Sequence, residues 1–144
     1  MPNMDMSLNM LREYTGSMPR PTDFREFWDK KVKEAWEQPL RYSITDSEIP
    51  HSETTRYYDI WLDGMNGAKL YAKYILPVRQ EKVPVILQFH GYPGSSRSWL
   101  EQSSYAGMGM AIIALDCPGQ GGFGQDLGGY LGTTVSGHII AGLD

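Results

Sequence analysis

The stretch Val83-Pro84-Val85-Ile86-Leu87-Gln88-Phe89, followed at once by His90-Gly91-Tyr92-Pro93-Gly94, decides what kind of sheet this chain builds. Its first seven residues run apolar without alternation, the pattern of a strand covered by helices on both faces rather than one half exposed to water. Met110-Ala111-Ile112-Ile113-Ala114-Leu115 is a second such run. Between them, Ser98 to Ala106 has the length and composition of a crossover helix joining two parallel strands. A βαβ unit is therefore predicted.

Upstream the pattern changes. Tyr42–Ile44, Arg56–Leu62 and Lys69–Leu76 are rich in aromatic and β-branched residues and read as strands. Asp63-Gly64-Met65-Asn66-Gly67 lies between the last two and supplies residues that tolerate the positive φ of a chain reversal, which makes these strands a hairpin. In the second of them Leu70, Ala72 and Tyr74 alternate with Lys69, Tyr71 and Lys73, so one face is expected to be buried and the other wet. Further upstream, Phe24, Phe27, Trp28, Val32, Ala35 and Trp36 recur at helical spacing after a Thr22 or Asp23 cap. Pro39 ends that helix. Its aromatic stripe is read as a face packed on a core. Residues 1–20, closing on Met18-Pro19-Arg20-Pro21, read as an extended arm.

Composition narrows the function classes. Hydrophobic residues make up 41% and charged residues 21%, as in an ordinary globular domain. Thirteen basic against seventeen acidic side chains leave a net charge of −4, which provides no basic footprint for nucleic acid. Cys117 is the sole cysteine, so neither an intrachain disulfide nor a Cys-rich metal site can be built. The N-terminus lacks a basic stretch leading into an apolar one, and no segment reaches the roughly 18 apolar residues of a membrane span. A cytoplasmic location is the resulting expectation.

The chemistry gathers at two loops. His90–Gly94 directly follows one parallel strand, and Asp116-Cys117-Pro118-Gly119-Gln120-Gly121-Gly122 follows the other. Both therefore sit at the carboxyl edge, where open α/β sheets place their ligands. Thirteen of the sixteen glycines fall after His90, and the region beyond Leu115 reads as a long functional loop. Neither GxGxxG in a strand-to-helix setting nor GxxxxGK[ST] occurs, which argues against nucleotide binding. No base is paired with Cys117 in the sequence, so it reads as a structural thiol. An HG-type loop in this position resembles the one that supplies a backbone N–H to the oxyanion hole of α/β-hydrolases. Gly91 permits close backbone approach and the Tyr92 amide is the candidate donor; the competing reading makes His90 a satisfied, non-catalytic histidine in a tight turn.

Taken in order, PRPTDFREFWDK, the strand pair, Gln88–Tyr92, Leu115–Gly122 and Gly137-His138-Ile139-Ile140-Ala141-Gly142-Leu143-Asp144 resemble the acetyl xylan esterase and cephalosporin C deacetylase family. The resemblance covers nearly all of residues 18–144. It implies an α/β class protein, the N-terminal part of an α/β-hydrolase fold: N-terminal helix, antiparallel hairpin, then parallel βαβ. Residues 21–144 would form the N-terminal portion of that single domain. It further implies an esterase that removes acetyl groups from short acetylated xylo-oligosaccharides or cephalosporin C by a Ser-Asp-His triad, without metal or other cofactor, in a cytoplasmic homo-oligomer, typically a ring-like hexamer. Gly91, Tyr92 and Gln120 are the residues expected to meet substrate.

Two departures accompany the resemblance. Pro118-Gly119-Gln120 stands where many members carry Arg-Gly-Gln. No GxSxG occurs anywhere, and Ser136-Gly137 does not satisfy it, so the nucleophile, Asp and His are expected in a segment beyond these residues. Without the strand that leads to the nucleophile, the strand ending at Phe89 becomes a sheet edge in need of a partner. A non-catalytic module binding a sugar or a partner chain, and a different hydrolase on the same fold such as a peptidase or dienelactone hydrolase, are the alternative readings.

Overall fold

The computed structural model of the chain describes residues 5–126. Two compact units divide between Glu37 and Gln38. In the first, Leu8–Glu13 forms a short helix, α1, inside the segment expected to be extended. Pro19 and Pro21, which enforce extension, follow this helix, and the Ser7 hydroxyl caps it by accepting from the Met10 N–H at 3.4 Å. Helix α2 spans Phe24–Glu37, as its spacing predicts. Phe24 and Phe27 gather on Trp28, with ring centroids 6.2 and 5.4 Å away. The expectation of a buried stripe is not met: no residue of α2 is buried, and Trp36 is 84% exposed. A unit of 37 residues has too little apolar surface of its own to enclose four large rings.

The second unit is a five-stranded mixed sheet in the order β1-β2-β3-β5-β4, where β1 is Tyr42–Asp46, β2 Thr55–Asp63, β3 Lys69–Pro77, β4 Val85–Phe89 and β5 Ala111–Asp116. β2 and β3 form the predicted hairpin, registered through Ile60 opposite Ala72. Its reversal places Asn66 at φ 53° and Gly67 at φ 80°, the left-handed region that these residue types tolerate best. β3 then pairs antiparallel with β5, and β5 pairs parallel with β4, Phe89 lying opposite Leu115.

The crossover is helix α3, Trp99–Gly107, opened by a reciprocal capping box between Ser98 and Glu101. It lies on one face of the sheet, where Ala106 packs with Ile75, Ile112 and Ala114, flanked by Tyr57, Ile86, Trp99 and Tyr105. β5 is the buried strand its composition predicts. β4 departs from the prediction: Ile86 and Gln88 are partly covered, but Val85, Leu87 and Phe89 are exposed. Ile86 packs against the cluster on the α3 side, whereas among the described residues the opposite face, with Val85, Leu87 and Phe89, is left open. None of the helices in the described residues is long and apolar enough to cross a membrane.

Candidate active site

Parallel pairing of β4 and β5 brings the loops that follow them, His90–Ser98 and Cys117–Gly124, to the same rim. Backbone hydrogen bonds fasten the two together. The Gly121 N–H donates to the Gly94 carbonyl at 2.9 Å and to the Pro93 carbonyl at 3.2 Å. From the other side, the Cys117 N–H donates to His90 Nε2 at 2.9 Å. That bond requires Nε2 to be unprotonated, which assigns the proton to Nδ1, 3.0 Å from the Gly91 carbonyl. Both ring nitrogens are thus occupied by backbone. His90 is a brace between the two loops.

Tyr92 lies in the turn Gly91–Gly94, closed by the Gly94 N–H donating to the Gly91 carbonyl at 2.8 Å, with its peptide to Pro93 cis. Gly91, Tyr92 and Gln120 therefore belong to one pair of fastened loops, as their positions in the sequence suggest. The side-chain oxygen of Gln120 is buried and accepts no hydrogen bond among the described residues. A group in that state is costly unless a donor arrives from elsewhere. The Cys117 sulfur is partly buried, 4.0 Å from the His90 carbonyl. Ser136 and the block Gly137–Asp144 lie outside the described residues.

Beneath the rim stands a residue whose side chain the sequence reading quoted but did not use. Asp116 ends β5 and is 1% exposed. Its Oδ1 accepts the Ser96 N–H at 2.6 Å, and its Oδ2 accepts the Phe123 N–H at 2.9 Å. One carboxylate thereby holds both loops. The approach is so close that a Cβ at Gly122 would fall inside van der Waals contact with that carboxylate. Gly122→Ala is accordingly expected to destabilise the folded protein by about 3 kcal/mol, combining overpacking with the loss of a buried hydrogen bond. Gly107→Ala, where nothing lies within 4 Å, is the matched control. Denaturant midpoints of the two variants check this, and equal midpoints would show that the carboxylate is not gripped as described.

The face of β3 expected to be wet is covered instead. Tyr71 is 5% exposed, packed against Trp61 and Phe123 with ring centroids 5.2 Å away in both cases. Its hydroxyl donates to Asp59 Oδ1 at 2.6 Å, and burial, then this bond, then the negative charge of Asp59 push the phenol far above its ordinary range. Lys73 points to the same side and donates from Nζ to the Ser96 hydroxyl at 2.8 Å. Its burial lowers the ammonium pKa, opposed by the negative charges of Asp116 and Asp59. Asp59, Trp61, Tyr71, Lys73, Trp99 and Phe123 line a cavity of about 480 Å³.

The sheet, its crossover helix and the loops at its carboxyl edge define an α/β protein of the hydrolase kind, and the comparisons give its family. The sequence of residues 1–144 matches the acetyl xylan esterase family, to which the chain belongs. Among solved structures it is similar to acetyl xylan esterase 1 from Thermoanaerobacterium sp. JW/SL YS485, with 40% identity and a TM-score of 0.82, covering 97% of this chain and 44% of that one. It is also similar to the acetyl xylan esterase from Paenibacillus sp. R4, with 31% identity and a TM-score of 0.69, covering 84% and 39%. A shorter similarity links it to dipeptidyl-peptidase 5 of Schizosaccharomyces pombe, 32% identical over 81 residues, 49% of this chain and 12% of that protein. The chain thus spans less than half the length of each of these relatives.

Proposed function

We propose that this chain is the part of a serine acetyl esterase that supplies an oxyanion-hole donor, the Tyr92 backbone N–H, to a triad carried by other residues of the complete protein. The substrates are acetylated xylo-oligosaccharides or cephalosporin C. The observation that supports this most is the fastening of His90–Gly94 to Cys117–Gly121 at the carboxyl edge, which fixes the main chain around Tyr92 before any substrate arrives. In the reaction the serine oxygen bonds to the acetyl carbon while a histidine takes its proton. The oxyanion is held by the amide, the sugar hydroxyl leaves with the proton, and water repeats the sequence to release acetate.

The test is acetate release by the complete protein from acetylated xylo-oligosaccharides and cephalosporin C, before and after treatment with a serine-reactive phosphonate. Turnover abolished by the reagent is expected. Cleavage of a peptide substrate in preference to any acetyl ester would overturn the reading in favour of a peptidase, and sugar binding without turnover would favour a binding module.

A further inference from the structure

We propose that Lys73 and Asp116 are positioning residues that keep the Tyr92 amide in place by clamping Ser96 from two sides, an inference that rests on the esterase reading above. Ser96 is 5% exposed and lies four residues after Tyr92. Its N–H donates to Asp116 at 2.6 Å, its hydroxyl accepts from Lys73 at 2.8 Å, and its carbonyl accepts from Lys73 at 3.4 Å. Every polar group of this residue is thus held by a charged side chain. Pro93 and Gly94 are already tied to Gly121, so Ser96 is the next fixed point along the loop.

Both clamps stand on rigid ground. Asp116 closes β5, and Lys73 sits within β3, directly opposite Ala114 of β5. The ammonium lies 5.7 Å from the Trp99 ring centroid and 5.9 Å from that of Tyr71, so its position is set by packing as well as by hydrogen bonds. A methionine would fill this space but would leave the Ser96 hydroxyl and carbonyl without their Lys73 donor and the nearby negative charges of Asp116 and Asp59 uncompensated. The lysine is therefore explained by what it holds, and what it holds is the loop that carries Tyr92.

The experiment uses the complete protein and the variants Lys73→Met, Lys73→Arg and Ser96→Ala. Lys73→Met is expected to lower kcat on an activated acetyl ester about tenfold while KM changes less than about twofold, since small misplacements of a catalytic donor act on the transition state. Lys73→Arg should recover most of that loss, and Ser96→Ala, which removes only the hydroxyl, should cost about threefold. Amide hydrogen exchange read on residues 90–98 should quicken in Lys73→Met and Ser96→Ala while β2 and β3 stay protected, a change that a general loss of stability would not confine to one loop. If Lys73→Met does not fold, Ser96→Ala carries the same two readouts. Unchanged exchange, or quickened exchange with kcat intact, would overturn the proposal. A wild-type protein without esterase activity would instead refute the esterase reading, and the positioning role with it, while exchange would still show whether the clamp holds the loop.

Discussion

Proline at position 92 of the complete enzyme is expected to lower kcat about 100- to 1000-fold, the loss of ~2.7–4 kcal/mol that follows removal of one oxyanion donor. The reasoning is atomic. Proline has no N–H, so the substitution deletes the group assigned to the oxyanion, and the fastening of the loop through the Gly121 amide leaves the rest of the turn in place. Tyr92→Phe keeps the N–H and should stay within about twofold of the parent, because it changes only the phenol. The measurement is kcat at saturating acetyl ester, with circular dichroism and a denaturant midpoint confirming the fold. A folded proline variant with full turnover would remove Tyr92 from the mechanism.

A polypeptide made of these 144 residues alone should hydrolyse acetyl esters no faster than buffer, and should regain activity when mixed with a segment carrying the GxSxG serine and its partners. Chemistry requires the first result, since an oxyanion donor has no tetrahedral intermediate to stabilise without a nucleophile and base. Packing supports the second. Among the described residues β4 is an edge strand with Val85, Leu87 and Phe89 exposed at 54, 63 and 66%, so it presents there both an unpaired ladder and an apolar face. The same edge should drive self-association of the isolated polypeptide, seen by sedimentation. Inhibitor-sensitive turnover by the 144 residues alone would defeat the assignment of the triad to other residues, and a cooperatively unfolding monomer would defeat the packing argument.

The parts of this fold that are legible in the sequence are those specified locally. The reversal at Asn66-Gly67, the crossover helix over Trp99–Gly107 and the shared rim of His90 and Cys117 each follow from a short window of residues. What could not be read depends on distant partners. Alternation makes Tyr71 and Lys73 look like a wet face, because the residues that cover them, Trp61, Ser96 and Phe123, lie between 10 and 52 positions away. Similarly, the unbroken apolar run of β4 signals two covered faces, whereas among the described residues only the face toward α3 is packed. α1 was hidden by the prolines that follow it. The role of Asp116 follows from its neighbour Gly122, the glycine at which a Cβ would meet the carboxylate, a contact that the glycine-rich sequence after β5 does not by itself assign to one residue.

That contact has a bearing on how the rim can vary over evolutionary time or in a mutant library. The ties between the loops run through amides, carbonyls, one imidazole and one carboxylate, so tolerance at each position is set by volume before polarity. At Gly121 a methyl group would sit 2.9 Å from the Pro93 carbonyl, and at Gly124 it would collide with the carbonyl of Asp116. These sites are closed to drift. Tyr92, Pro118 and Phe123 are exposed on the same loops, with Tyr92 and Phe123 45% and 60% open to solvent. Variation can therefore accumulate at these three side chains, while the backbone that carries them stays fixed.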